Sequence, residues 1–130
     1  MPTPILTTDI LFFFDGHAGS MPLYEALAKR LLSEYPETQI QVKKTQISFQ
    51  DGHLYACASL TPVRRRAERP DPFLTVTFGS DVPIASSRLV CVPIRPNRYT
   101  HHALIGSADE IDETLMGWID ASHKLTMERT

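Results

Sequence analysis

The dipeptide Asp51-Gly52 constrains this chain most. It sits between two runs with a side-chain period of two, Ile47-Ser48-Phe49 before it and His53 to Leu60 after it. Asp-Gly is a strong two-residue hairpin signal, because both central positions of a type I′ turn need positive φ. An antiparallel pair is therefore expected here. Upstream, Gln39 to Val42 carries its apolar residues at even positions, whereas Ile47 and Phe49 are odd. A period of two cannot survive that flip without a bend or bulge near Lys43-Lys44-Thr45.

More strands follow. Phe73 to Phe78 puts Leu74, Val76 and Phe78 on one face and Thr75 and Thr77 on the other. Leu89 to Ile94 and Tyr99 to Ile105 read as two further strands separated by Pro96-Asn97, while Thr61 to Pro72 is a loop rich in proline and arginine. Helices flank these strands. Asp9 to Phe14 reads as a short helix broken at Gly16 and Gly19. Ser20 then looks like an N-cap, with Pro22 tolerated in the first turn and Leu23, Leu27 and Leu31 forming an apolar stripe that Pro36 ends. At the other end, Ser107-Ala108-Asp109-Glu110 has the form of a capping box ahead of the stripe Ile111, Leu115, Trp118 and Ile119. The expected architecture is α+β: one mostly antiparallel sheet of about five or six strands, with N-terminal and C-terminal helices packed on one face. A length of 130 residues suits a single globular domain over 1–130 with its core over about 10–124.

Several function classes drop out. No apolar run approaches the roughly 20 residues of a membrane helix, and the first basic residue, Lys29, follows the apolar start rather than preceding it, unlike a secretory signal. Cys57 and Cys91 give neither a disulfide framework nor zinc spacing, and both read as core or near-core fillers. The expectation is a cytoplasmic protein with reduced thiols, a monomer or homodimer, with no metal and no cofactor. GxGxxG, the P-loop, GxSxG and HExxH are all absent.

The net charge of −2 is unevenly distributed. Residues 43–98 hold nine basic and four acidic side chains, and the remainder holds four basic and eleven acidic ones. A basic middle can attract an anionic ligand. Sequence-independent nucleic-acid binding through Lys43, Lys44 and the arginine loop is a second alternative, against which the acidic helices and an isoelectric point near 6.2 argue.

Alternation also defines a candidate site. Ile47, Phe49, Leu54, Ala56, Ala58, Leu60, Leu74, Val76 and Phe78 are expected to face the helices. Lys44, Gln46, Ser48, Tyr55, Cys57, Ser59, Thr75 and Thr77 would then form an open, polar opposite face. His101 and His102, adjacent on a strand, must point to opposite sides, one half-buried and one open. The leading reading is a small binding module whose open polar face holds a small anionic ligand or a partner segment. Lys44 would supply charge, Gln46 and Tyr55 orientation, His102 a pH-sensitive donor, and Arg65 of the loop a clamp for phosphate. The alternative is a small enzyme using His101 or His102 as general acid or base beside Lys44, and the missing motifs weigh against it.

Lys44-Thr45-Gln46-Ile47-Ser48-Phe49, then Thr100-His101-His102, then Asp112 to Trp118, preceded by Leu23 to Leu27, occur in an order that resembles a bacterial family, the domain of unknown function numbered 5655. The resemblance spans about Phe13 to His123. It implies a small α+β domain without an established activity, and it groups Lys44, Gln46, His101 and His102 as a shared site. The Arg64 to Pro72 loop is longer and more charged than that pattern.

Overall fold

The computed structural model describes residues 4–128. Its strands are β1 (Gln39–Val42), β2 (Ile47–Asp51), β3 (His53–Ser59), β4 (Leu74–Ser80), β5 (Leu89–Arg95) and β6 (Arg98–Ile105). They form one sheet of order β1-β2-β3-β4-β6-β5, and every neighbouring pair is antiparallel. The helices are α1 (Thr8–Phe13), α2 (Met21–Glu34) and α3 (Glu113–Met127). The fold is α+β, as the patterning implies.

Residues directly opposite one another across antiparallel strands share a face. Phe49, Ala56, Phe78 and His101 make one such row. Tyr24 of α2 stacks on Phe49 at 6.3 Å and Trp118 of α3 on Phe78 at 6.1 Å, so both helices cover this face. The stripes Leu23, Leu27, Leu31 and Leu115, Ile119 are buried against it. Each such side chain contributes roughly 1.5–3 kcal/mol of apolar burial.

The parity flip before β2 is a tight turn between two strands. The Lys43 amide donates to the Gln46 carbonyl at 2.8 Å, and Ile40 stands opposite Phe49 and Val42 opposite Ile47. Antiparallel pairing thus brings even and odd positions onto one face. The Asp51-Gly52 hairpin forms, but not with two left-handed residues: Gly52 alone has positive φ (73°), and Asp51 opposes His53. The two-against-one count is met further along. Phe49 opposes Ala56 and Gln50 opposes Leu54, which leaves Tyr55 as the extra residue of a bulge.

That bulge corrects two assignments. Leu54, expected inside, is exposed. Tyr55, expected on the polar face, turns to the helix side, where its hydroxyl meets Thr38 Oγ1 at 2.8 Å and its ring packs on Tyr35 and His123. His123 of α3 also stacks on Tyr35 at 4.0 Å and reaches Asp51 Oδ2 at 2.7 Å, tying the end of α2, the β2–β3 hairpin and α3 together.

Both serine caps also differ from expectation. The Ser20 hydroxyl donates to the Phe73 carbonyl at 2.7 Å rather than capping α2. Ser107 precedes only a one-turn helix, Ala108–Glu110, and caps nothing. Asp112 caps α3 instead, accepting from the Leu115 amide at 3.0 Å. Glu110, the expected reciprocal partner, accepts from the Gly106 amide at 2.8 Å. Ile111 leaves the helical region (φ −83°, ψ 71°), so the chain needs a second cap.

Candidate functional site

The predicted polar face exists, but most of it is closed. Ser48, Ser59 and Thr75 are buried. The loop after β3 folds back on it: the Thr61 amide donates to Ser59 Oγ and the Thr75 hydroxyl to the Thr61 carbonyl. Gln46 covers Ser48 through a 3.1 Å bond and lies, with exposed Lys44, in the β1–β2 turn rather than on a strand. Arg65 sits in the distant 61–72 loop, paired with Glu68 at 2.9 Å. Cys57 is buried, which raises its pKa against the opposing effects of Ser48 and Lys43, so it is a thiol. Cys91, expected near the core, is exposed on the edge strand β5.

His101 and His102 do face opposite sides. His101 is fully buried, its ring against Phe78 on the helix side and its Nε2 2.8 Å from Ser80 Oγ. His102 is half-buried on the other side, its Nδ1 2.8 Å from Thr77 Oγ1. Burial lowers both pKa values. Lys44 does not converge on either. β3 and β4 separate its turn from β6, about 14 Å at the usual strand spacing.

The structure assembles a different constellation, at the opposite end of β3 and β4. Their ladder stops at Ala56 and Phe78, although β3 begins at His53 and β4 runs on to Ser80. The strands splay, and α3 fills the gap with one buried hydroxyl. Ser122 Oγ accepts from the Gly79 amide at 3.1 Å and donates to the Tyr55 carbonyl at 2.8 Å. Two backbone groups that would otherwise be orphaned are satisfied by this side chain.

The splay leaves a cavity of about 350 Å³. Leu54, Phe78, Ile94 and Leu125 give it apolar walls, Cys57 and Thr77 belong to its lining, and the tip of the β5–β6 hairpin closes one side. That tip carries Arg95 and Arg98, directly opposite across Pro96-Asn97, where Asn97 takes the positive φ (63°) that asparagine tolerates. Like charges directly opposite are destabilising. Neither arginine has an ion pair among the described residues, and no Asp or Glu lines the cavity. The neighbouring hydroxyls of Tyr99 and Thr100 have no partner among the described residues either.

Of the residues assigned from sequence to the polar face, only Tyr55, Cys57 and Thr77 touch this cavity, whereas the site candidates Lys44, Gln46, Arg65, His101 and His102 lie outside its lining. Arg95, Arg98, Ile94 and Ser122 were not foreseen. Arg95-Pro96-Asn97-Arg98 did hold a signal, because a two-residue turn sets its flanking residues opposite each other. Among the described residues, no group of three or more His, Cys, Asp or Glu could hold a metal ion, and no helix is long and apolar enough to cross a membrane.

These features define a small α+β domain with an antiparallel sheet split at one end beside a basic hairpin tip. A family model described as Domain of unknown function (DUF5655) matches residues 12–126, and the chain belongs to that family. No curated protein and no solved structure matches it.

Proposed function

We propose that this domain is a binding module for a small anionic ligand, and that the ligand sits in the cavity at the split end of the sheet. One observation carries the reading: Arg95 and Arg98 face each other across a hairpin with no acid to offset them, at the rim of a cavity that contains none. An anion between them removes a repulsion that the free domain retains. This site replaces the face around Lys44 and Gln46, whose hydroxyls Ser48, Ser59 and Thr75 are buried.

Several arginines outside the cavity hold partners of their own, which supports a local site over a surface built on the arginine loop. Arg65 pairs with Glu68, Arg88 pairs with Asp112 and lies over Trp118, and Arg69 lies over Phe73. An acid–base enzyme built on Lys44 and a histidine has no shared cleft. The test is a thermal-shift titration with phosphate, sulfate and organic anions at constant ionic strength, repeated on Arg95→Gln/Arg98→Gln. Stabilisation by at least one anion, abolished in the double variant, supports the reading. Equal responses in the two proteins, or no response in either, overturn it.

A further inference from the structure

We infer that the occupant of this cavity is a phosphate monoester carrying a compact apolar body, such as a short alkyl or aryl phosphate. The inference rests on the anion-binding reading above and names the ligand class for that site. Three observations converge on it.

The first is charge. Two opposed guanidinium groups are balanced by a dianion, and a phosphate monoester carries about −1.5 to −2 near neutrality. A monocarboxylate leaves one arginine uncompensated. The second is donor count. Besides the guanidinium forks of Arg95 and Arg98, the hairpin offers the unpartnered hydroxyl of Thr100, which strand alternation places on the same face of β6 as Arg98. A phosphate ester presents three terminal oxygens to such a set, a carboxylate only two. The Ser80 hydroxyl is not available, since it donates to the Val82 carbonyl.

The third is the wall. Leu54 is 43% exposed and Ile94 61% exposed, yet both line the cavity, together with Leu125 of α3 and Phe78 of β4. Exposed apolar side chains scattered singly need no explanation, but here two meet at one cavity beside two cations. An inorganic anion leaves them wet; an alkyl or aryl group covers them. A volume of about 350 Å³ suits a small organic molecule rather than a lone ion.

Isothermal titration of the intact chain with inorganic phosphate, ethyl, butyl and hexyl phosphate, and hexanoate tests the class. Hexyl phosphate is expected to bind about tenfold or more tighter than either inorganic phosphate or hexanoate, with affinity rising roughly two- to fourfold per added methylene. Ile94→Ser, at an exposed position, should flatten the chain-length series. Arg95→Gln/Arg98→Gln should weaken every phosphate, and circular dichroism confirms that both variants are folded. Inorganic phosphate binding as tightly as hexyl phosphate, with arginine dependence intact, overturns the ester class and leaves the anion reading standing. Hexanoate matching hexyl phosphate overturns the dianion. Titrations flat for every probe overturn this inference, and the thermal-shift panel then decides the anion reading separately.

Discussion

The imidazole of His101 donates from Nε2 to the hydroxyl of Ser80 at 2.8 Å, and the bond fixes its tautomer. A serine hydroxyl has one proton, and that of Ser80 goes to the Val82 carbonyl. Ser80 Oγ can therefore only accept from the ring. The proton sits on Nε2, and Nδ1 is left as a buried lone pair with no partner among the described residues. Charging this ring would place an N–H on Nδ1 where nothing accepts it.

Stability should consequently fall with acid. Burial lowers the His101 pKa from its ordinary 6.5, with the Val82 carbonyl opposing and His102 adding to the shift. Above about pH 6.5 the ring is neutral in both folded and unfolded chains and contributes no pH dependence. As pH drops below that value the unfolded chain takes up a proton that the folded one refuses. The domain then loses up to about 1.4 kcal/mol per pH unit from this group, until the lower folded pKa is passed. Urea denaturation at pH 7.5 and 5.5 measures the loss. His101→Asn, although less stable throughout, should show a shallower pH dependence. An unchanged slope would remove His101 from the account.

Ser122 is expected to matter more than a small surface hydroxyl should. Replacing it by alanine strands the Gly79 amide and the Tyr55 carbonyl at the split between β3 and β4. Each buried group left unpaired costs about 1–3 kcal/mol, so Ser122→Ala should lose roughly 2–4 kcal/mol in chemical denaturation. Thr126→Ala, next to the same cavity but bonded only to the carbonyl of His123 within its own helix, is the control and should cost well under half as much. Equal losses would mean that Ser122 does not hold the split.

How much of this was readable beforehand depends on the range of the interaction. The strands were legible from period-two alternation, because Leu74, Val76 and Phe78 are buried on the helix face just as the pattern demands. The two histidines separated for the same local reason. What failed was non-local. One bulge residue, Tyr55, reversed the facing of Leu54, and no property of the tripeptide announces it. The cavity arises because a serine on α3 interrupts a ladder between strands some 40 to 70 residues earlier, and a single-sequence pattern carries no trace of that meeting. The order of strands, with β6 inserted between β4 and β5, brought the Arg95–Arg98 tip to the split. A turn signal was present there, but nothing in it named the neighbour.

The start of α3 gives a second contrast between local signal and outcome. Ser107 and Glu110 have the residue types of a capping box, yet the Asp112 carboxylate accepts from the Leu115 amide and, through both oxygens, from Arg88 Nη1. Those two partners, the Leu115 amide first, hold the Asp112 carboxyl below its ordinary range. Its stabilising contribution is therefore present above about pH 3.8 and lost as pH falls through the lower folded value. Asp112→Ala should lower the melting temperature at pH 7 measurably, while Ser107→Ala should leave it within about a degree. As pH falls below 3.8 and through the lower folded value, the penalty for Asp112→Ala should shrink, because the wild-type carboxyl then takes up its proton. A larger effect from Ser107→Ala would restore the capping box.

Two glycines should respond to alanine with opposite signs. Gly117 lies within α3 on an exposed position, and a β-carbon there would meet nothing within 4 Å. Glycine inside a helix costs about 0.5–1 kcal/mol relative to alanine, mainly because the unfolded chain is freer. Gly117→Ala should therefore stabilise the domain by about that amount. Gly106 follows β6, and a β-carbon there would come within 2.5 Å of Pro70 Cβ and 2.9 Å of Pro70 Cγ. A proline ring cannot swing aside as a long side chain does, so the 61–72 loop must move. Gly106→Ala should destabilise by roughly 1–3 kcal/mol. Because that loop covers Ser59 and Thr75 through Thr61, the same variant should speed hydrogen exchange at the Thr61 amide, whereas Gly117→Ala should not. Matching signs for the two substitutions would show that loop and sheet are not packed as closely as the Gly106–Pro70 approach requires.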